Sequence, residues 1–91
     1  MALKWDAKDP DEVLDYLLDW SARIPNGDAI ATSTWTVPSG ITKDSDSHTE
    51  TTTTIWLSGG TLDETYALTN RITTTGGRTM DQTVSIKIKA K

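Results

Sequence analysis

The sequence predicts an all-β domain, a sandwich of six or seven short antiparallel strands. Three observations carry this prediction. The segment from Met80 to Lys89 alternates almost without error: Met80, Gln82, Val84, Ile86 and Ile88 share one side, and Asp81, Thr83, Ser85, Lys87 and Lys89 share the other. A period of two marks a strand with one face in a core and one in water. Glycine- and proline-centred turn signals recur about every ten residues, the spacing expected of a sandwich. Seventeen of the 91 residues are threonine, a β-branched residue that fits a pleated sheet and weakens helices.

Each element follows from local pattern. Met1 to Pro10 is a short mixed segment with no periodicity, expected as an N-terminal arm ahead of a sandwich domain over 11–91. Asp9-Pro10-Asp11-Glu12 has the form of a helix start, and Val13, Leu14, Leu17 and Leu18 follow at helical spacing. The same stretch also alternates as a strand, with Leu14, Tyr16, Leu18 and Trp20 set against Asp15, Asp19 and Ser21, interrupted by Leu17. The β-rich remainder favours the strand, because a lone amphipathic helix would leave the sandwich one strand short.

Pro25-Asn26-Gly27-Asp28 is a turn. Ala29 to Val37 is the next strand. Ala31, Ser33, Trp35 and Val37 share a face that Ile30 does not, which points to a bulge near Ala31 or to a strand covered on both sides. Ile41 to His48 contains Lys-Asp-Ser-Asp-Ser, expected as a polar turn with a weak strand near Ile41. Thr49 to Leu57 alternates again, and Ser58-Gly59-Gly60 turns the chain. Tyr66 to Thr74 and Met80 to Lys89 then form a β-hairpin through Gly76-Gly77, with Tyr66, Leu68, Asn70 and Ile72 on its inner face.

Composition narrows the function. Thirteen acidic against nine basic side chains give a net charge of −4, which argues against a nucleic-acid partner and against an anionic membrane. Cysteine is absent, so neither a disulfide framework nor thiolate chemistry is expected. The first ten residues lack an apolar core segment, so no signal peptide is expected. With no phenylalanine, four tryptophans and two tyrosines must supply much of the buried area.

The candidate chemistry is thin. His48 is the single histidine, in a polar segment with no nucleophile motif near it. Asp44, Asp46, His48 and Glu50 alternate and could present four ligands to a hard cation. An EF-hand loop started at Asp44 would need glycine and glutamate where Thr49 and Ile55 stand. A solvated turn is the preferred reading, and no metal or cofactor is expected. Asp9, Asp11, Glu12, Asp15 and Asp19 include enough carboxylates for glycoside hydrolysis, but a small sandwich offers little cleft for them. Trp20 and Trp35 fall on core faces. Trp56 lies between Ile55 and Leu57, so either it or they must face outward. Leu3, Trp5 and Trp56 are therefore the candidate partner-binding residues, because spare tryptophans anchor interfaces or stack on sugars.

Three stretches carry a resemblance: KWDAKDPDEVLDYLLDWSARI, GDAIATSTWTV, and TTIWLSGGTLDETYALTNRITTTGGRTMDQTVSIKI. Together they resemble a family of small structural proteins of tailed bacteriophages, the fiber-tail adaptor proteins, which are similar to immunoglobulin-like β-sandwiches. The likeness spans nearly the whole chain. It is most specific at DPDEVLDY, at Asp19-Trp20, at Gly27-Asp28, and from Trp56-Leu57-Ser58-Gly59-Gly60 to Tyr66-x-Leu68-Thr69-Asn70-Arg71.

The resemblance implies that Leu14 to Trp20 is a strand of an immunoglobulin-like sandwich. It also implies a non-enzymatic virion protein made in the host cytoplasm, joining tail or neck to fibers. Its partners would be other virion proteins, and it would occur in multiple copies of a symmetric assembly. The sequence departs from the family at Leu62-Asp63-Glu64, where a glycine or small residue is expected near Asp63. The alternatives are a capsid decoration protein and a carbohydrate-binding module that uses exposed tryptophans.

Overall fold

The computed structural model describes residues 3–91, which form seven strands and no helix. They are β1 (Leu3–Lys4), β2 (Leu14–Asp19), β3 (Ile30–Thr36), β4 (Ile41–His48), β5 (Thr52–Gly59), β6 (Thr65–Thr74) and β7 (Thr79–Lys87). Two sheets result, in the orders β1-β7-β6-β3 and β2-β5-β4. All pairings are antiparallel except β1 with β7, which is parallel.

The core lies between the sheets. Leu18, Trp20, Ile41, Ile55 and Leu57 come from the β2-β5-β4 side, and Ile30, Trp35, Tyr66, Leu68, Ile72, Val84, Ile86 and Ile88 from the other. The hairpin β6–β7 pairs Tyr66 with Ile86 and Leu68 with Val84, which stacks its apolar set on one face as its alternation predicts. The opposite face explains much of the threonine bias. Cross-strand rows Thr36–Thr69–Thr83 and Thr32–Thr73–Thr79 flank a central row of Thr34, Arg71 and Asp81.

The segment after Pro10 is the strand β2 and not a helix. Asp9-Pro10-Asp11-Glu12 nevertheless builds the local geometry of a helix start. The Asp9 N–H donates to Glu12 Oε1 at 2.8 Å, and the Glu12 N–H donates to the Asp9 carbonyl at 3.0 Å. One turn forms, and the chain then extends to pair with β5. Of the two explanations for the Ile30 mismatch, the bulge is present, between Ile30 and Thr32.

One expectation is corrected. Ile41–His48, expected as a polar turn, is an eight-residue strand at a sheet edge. Beyond Ile41 its side chains are largely exposed, so no apolar alternation betrays it, and its hydrogen bonds to β5 are main-chain bonds that any sequence can make. The turn falls instead at Thr49–Thr51, where the Thr49 hydroxyl accepts from Thr52 N–H at 3.0 Å.

The N-terminal segment from residue 3, whose structure the sequence leaves open, lies along β7; the first two residues of the expected arm lie outside the described residues. Lys8 is fully buried there, and its ammonium donates to the carbonyls of Asp9 at 2.8 Å and Gly59 at 2.7 Å. This ties the segment to the end of β5. Desolvation lowers the Lys8 pKa against the pull of Glu12, Asp9, Asp11 and Asp44.

Asp28 closes the opposite end of the sandwich. Its carboxylate accepts from Ala29 N–H (2.9 Å), Thr75 Oγ1 (2.9 Å), Gly76 N–H (2.8 Å) and Arg78 Nη1 (2.8 Å), pinning the β6–β7 turn to the β2–β3 connection. The nearby Thr74 hydroxyl foremost, then the hydrogen bonds from Gly76, Thr75 and Ala29, hold its pKa well below the ordinary carboxylate range, against the opposing effect of burial. A depressed folded pKa contributes stability that is fully present above the unfolded carboxylate value of about 3.9 and is lost as pH falls toward the folded value. Thermal melts between pH 5 and pH 2 should therefore show a steep acid loss. Asp28→Asn should lower the melting temperature at pH 7 and flatten that slope; an unchanged slope would remove Asp28 as its source.

Candidate interaction surfaces

The alternation of β5 settles which way Trp56 faces. Ile55 and Leu57 are fully buried, so Trp56 points out of the β2-β5-β4 sheet and is 41% exposed. Its cross-strand neighbours are Asp15 on β2 and Ser45 on β4. Leu17, the residue that interrupts the β2 alternation, stands on the same outer face opposite Thr54, on the diagonal from Trp56. With Val13 (55% exposed) and Leu17 (53%), Trp56 makes an exposed apolar patch; Asp15 stands between Val13 and Leu17, opposite Trp56, and Asp19 lies beyond Leu17, opposite Thr52. The sequence marked Trp56; the contributions of Val13 and Leu17 were hidden by their equal fit to a helical face.

Leu3 is 44% exposed, at the edge where β1 meets β7. Trp5 differs. Its ring stacks on Tyr16 with centroids 4.8 Å apart and approaches Trp35 at 5.9 Å, and its Nε1 donates to the Leu17 carbonyl at 3.3 Å. Trp5 thus packs against the core as a half-buried wedge between the sheets. Burial first, then the carboxylates of Glu12, Asp6 and Asp15, pushes the Tyr16 pKa up to about 12.

An open hollow of about 300 Å³ lies beside Trp5, lined by Lys4, Trp5, Asp6, Ala7, Lys87 and Lys89. A second, of about 270 Å³, lies at the Asp28 clasp, where the carboxylate already holds the hydrogen bonds described above.

The residues that suggested chemistry are dispersed. His48 is exposed, its Nδ1 3.0 Å from the Thr49 carbonyl. Asp44 accepts from Ser58 Oγ at 3.0 Å, and Asp46 pairs with Lys43 at 3.1 Å. Among the described residues no three of His, Cys, Asp and Glu gather as a metal site. Asp9 accepts from the Asp11 and Lys91 N–H groups, Glu12 from Asp9, and Asp19 from Ser21; each of these carboxyls has its pKa lowered by those backbone hydrogen bonds. A general acid for glycoside cleavage requires the opposite shift.

The pattern of one protein family, described as podophage GP4 fiber-tail adaptor protein gp77, matches residues 8–87. No curated protein matches the chain.

Proposed function

The chain belongs to the podophage fiber-tail adaptor family, and we propose that it is a non-enzymatic virion protein that joins the tail or neck to the fibers. The family match over residues 8–87 carries this reading. The architecture supports it: two sheets share one core, with an apolar patch at Val13, Leu17 and Trp56 on an outer face where a partner can reach it. The mechanism is passive. A tryptophan anchor inside a polar surround supplies affinity, and the rigid sandwich fixes the angle between the proteins it joins. Synthesis in the host cytoplasm and assembly into the particle in several copies complete the proposal.

A cryo-EM reconstruction of the virion tests it. The sandwich should fit density where fibers meet the tail or neck, in about a dozen copies or fewer arranged as a closed ring. Phage carrying Trp56→Ala should assemble particles depleted in fibers, while the variant chain folds normally. Absence of the chain from purified particles would sink the reading, and hundreds of copies over the capsid would replace it with a decoration role.

A further inference from the structure

We propose that Asn26 is a site of spontaneous covalent modification, converted to aspartate and isoaspartate through the backbone nitrogen of Gly27, and that this conversion loosens the Asp28 clasp.

The chain has two asparagines, and the fold treats them oppositely. Asn70 is fully buried, its amide donating to Ser33 Oγ and to the Thr34 carbonyl. It lies within β6, where pairing with β3 on one side and β7 on the other fixes the backbone. Asn26 is exposed in the connection from β2 to β3, and glycine follows it. Asparagine is thermolabile where its carboxamide can reach the next backbone nitrogen. A following side chain hinders that approach; glycine has none, and it rotates through backbone conformations closed to other residues. Gly27 sits at φ 85°, and a β-carbon built on it would meet nothing within 4 Å, so the turn has room to move. One hydrogen bond closes the turn, from the Asp28 N–H to the Pro25 carbonyl at 3.1 Å. Among the described residues the Asn26–Gly27 peptide itself makes no backbone hydrogen bond, so it can rotate without breaking one.

The chemistry needs water as its one co-reactant. Base removes the Gly27 amide proton, the nitrogen attacks Asn26 Cγ, and the side-chain nitrogen leaves as ammonia with the proton. A five-membered succinimide closes between the two residues. Water then opens the ring at either carbonyl. Cleavage of the new bond, between Cγ and the Gly27 nitrogen, leaves aspartate. Cleavage of the original peptide bond leaves isoaspartate, whose main chain runs through Cβ and Cγ. Both products carry a carboxylate where a neutral amide stood, and isoaspartate adds one carbon to the backbone.

The place of Asn26 gives the conversion its consequence. Asp28, two residues on, holds the β6–β7 turn through Thr75, Gly76 and Arg78. Arg78 is the single cation lining the hollow that Asn26 shares with Asp28. A new carboxylate there competes for the guanidinium and repels the one already bound. The extra backbone carbon moves Asp28 out of step with the turn it holds.

Incubation of the intact chain in warm, mildly alkaline buffer, followed by trypsin and mass spectrometry, tests this. Tryptic peptide 24–43 contains Asn26 and no other side-chain amide. It should gain about 1 Da, the difference between an amide and an acid, and separate into two products. The isoaspartate product should accept a labelled methyl group from an isoaspartyl methyltransferase. Peptide 44–71, which carries Asn70, should keep its mass. Conversion should quicken with pH, because base removes the Gly27 proton. The aged chain should melt about 4–8 °C below the fresh one, the shift of one weakened charge-assisted contact in a domain of this size. Asn26→Gln, whose ring closure would need six members, should pass through the same incubation with its melting temperature unchanged. A synthetic peptide of residues 24–43 is the control: if it converts and the folded chain does not, the proposal is overturned. Conversion of the chain with no fall in melting temperature removes the clasp from it.

Discussion

Trp20→Ala is expected to destabilise the domain by about 3–5 kcal/mol, the range for deleting a large buried aromatic. A domain of this size is held by only about 5–14 kcal/mol, so the loss takes from about a fifth of the total to all of it. On a chain of 91 residues it should lower the melting temperature by roughly 15–30 °C. The reason lies in what the indole does. It is 1% exposed, it fills the core just beyond β2, and the Arg23 guanidinium covers it at 5.0 Å from the ring centroid. Its Nε1 donates to Asn70 Oδ1 at 3.1 Å and to Thr53 Oγ1 at 3.2 Å. If the alanine variant fails to fold, Trp20→Phe keeps most of the ring and removes the donor, and should cost about 1–3 kcal/mol. Urea midpoints at unchanged slope would measure both. A Trp20→Phe variant as stable as the parent would show that the indole N–H contributes nothing.

Asn70→Leu comes next, at about 3 kcal/mol, although leucine is similar in size and more apolar. Asn70 is fully buried and engaged on every side. Its Oδ1 accepts from Trp20 and, at 2.7 Å, from the Thr53 hydroxyl; its Nδ2 donates to Ser33 Oγ at 2.9 Å and to the Thr34 carbonyl at 3.1 Å. One side chain on β6 thereby joins β3 to the far sheet through β5 and the residue after β2. Leucine would leave these donors and acceptors in a dry core with nothing to meet. Because Trp20 and Asn70 share a bond, the Trp20→Phe and Asn70→Leu losses should not add. A double-mutant cycle should return a coupling of about 0.5–3 kcal/mol, and strict additivity would break the network argument.

The parts of this fold that sequence makes legible are those where one face meets the core and the other meets water. In β6 and β7 every second residue from Tyr66 to Ile72, and again from Val84 to Ile88, is buried, so periodicity alone gives strands, faces and register. Trp20 and Trp35 follow from the same logic. What escaped is what burial does not write into the pattern. In β4 nearly every side chain is wet, and the strand exists through backbone bonds to β5. In β1 only two residues pair, and the partner lies some eighty positions away. Lys8 has the composition of a surface residue and the environment of a core one. Asp63 is the counterexample. The expected glycine near that position matches a left-handed backbone, φ 68°, which aspartate tolerates better than most residues. For the interaction surface, alternation alone leaves the direction of Trp56 undecided, and the burial of Ile55 and Leu57 against the other sheet decides it.

The parallel pairing of β1 with β7 has a mechanical consequence. Tension that enters the chain ahead of Leu3 and leaves beyond Ile88 drags two strands of the same direction past each other. The Trp5 N–H to Ser85 carbonyl, Lys8 N–H to Lys87 carbonyl and Lys89 N–H to Lys8 carbonyl bonds, each 2.9 Å, then carry the load together in shear. An antiparallel edge pulled from its open end would instead peel apart bond by bond. Together with the Lys8 ammonium held on the Gly59 carbonyl, this short strand resists sliding at the point where force along the chain would first be felt.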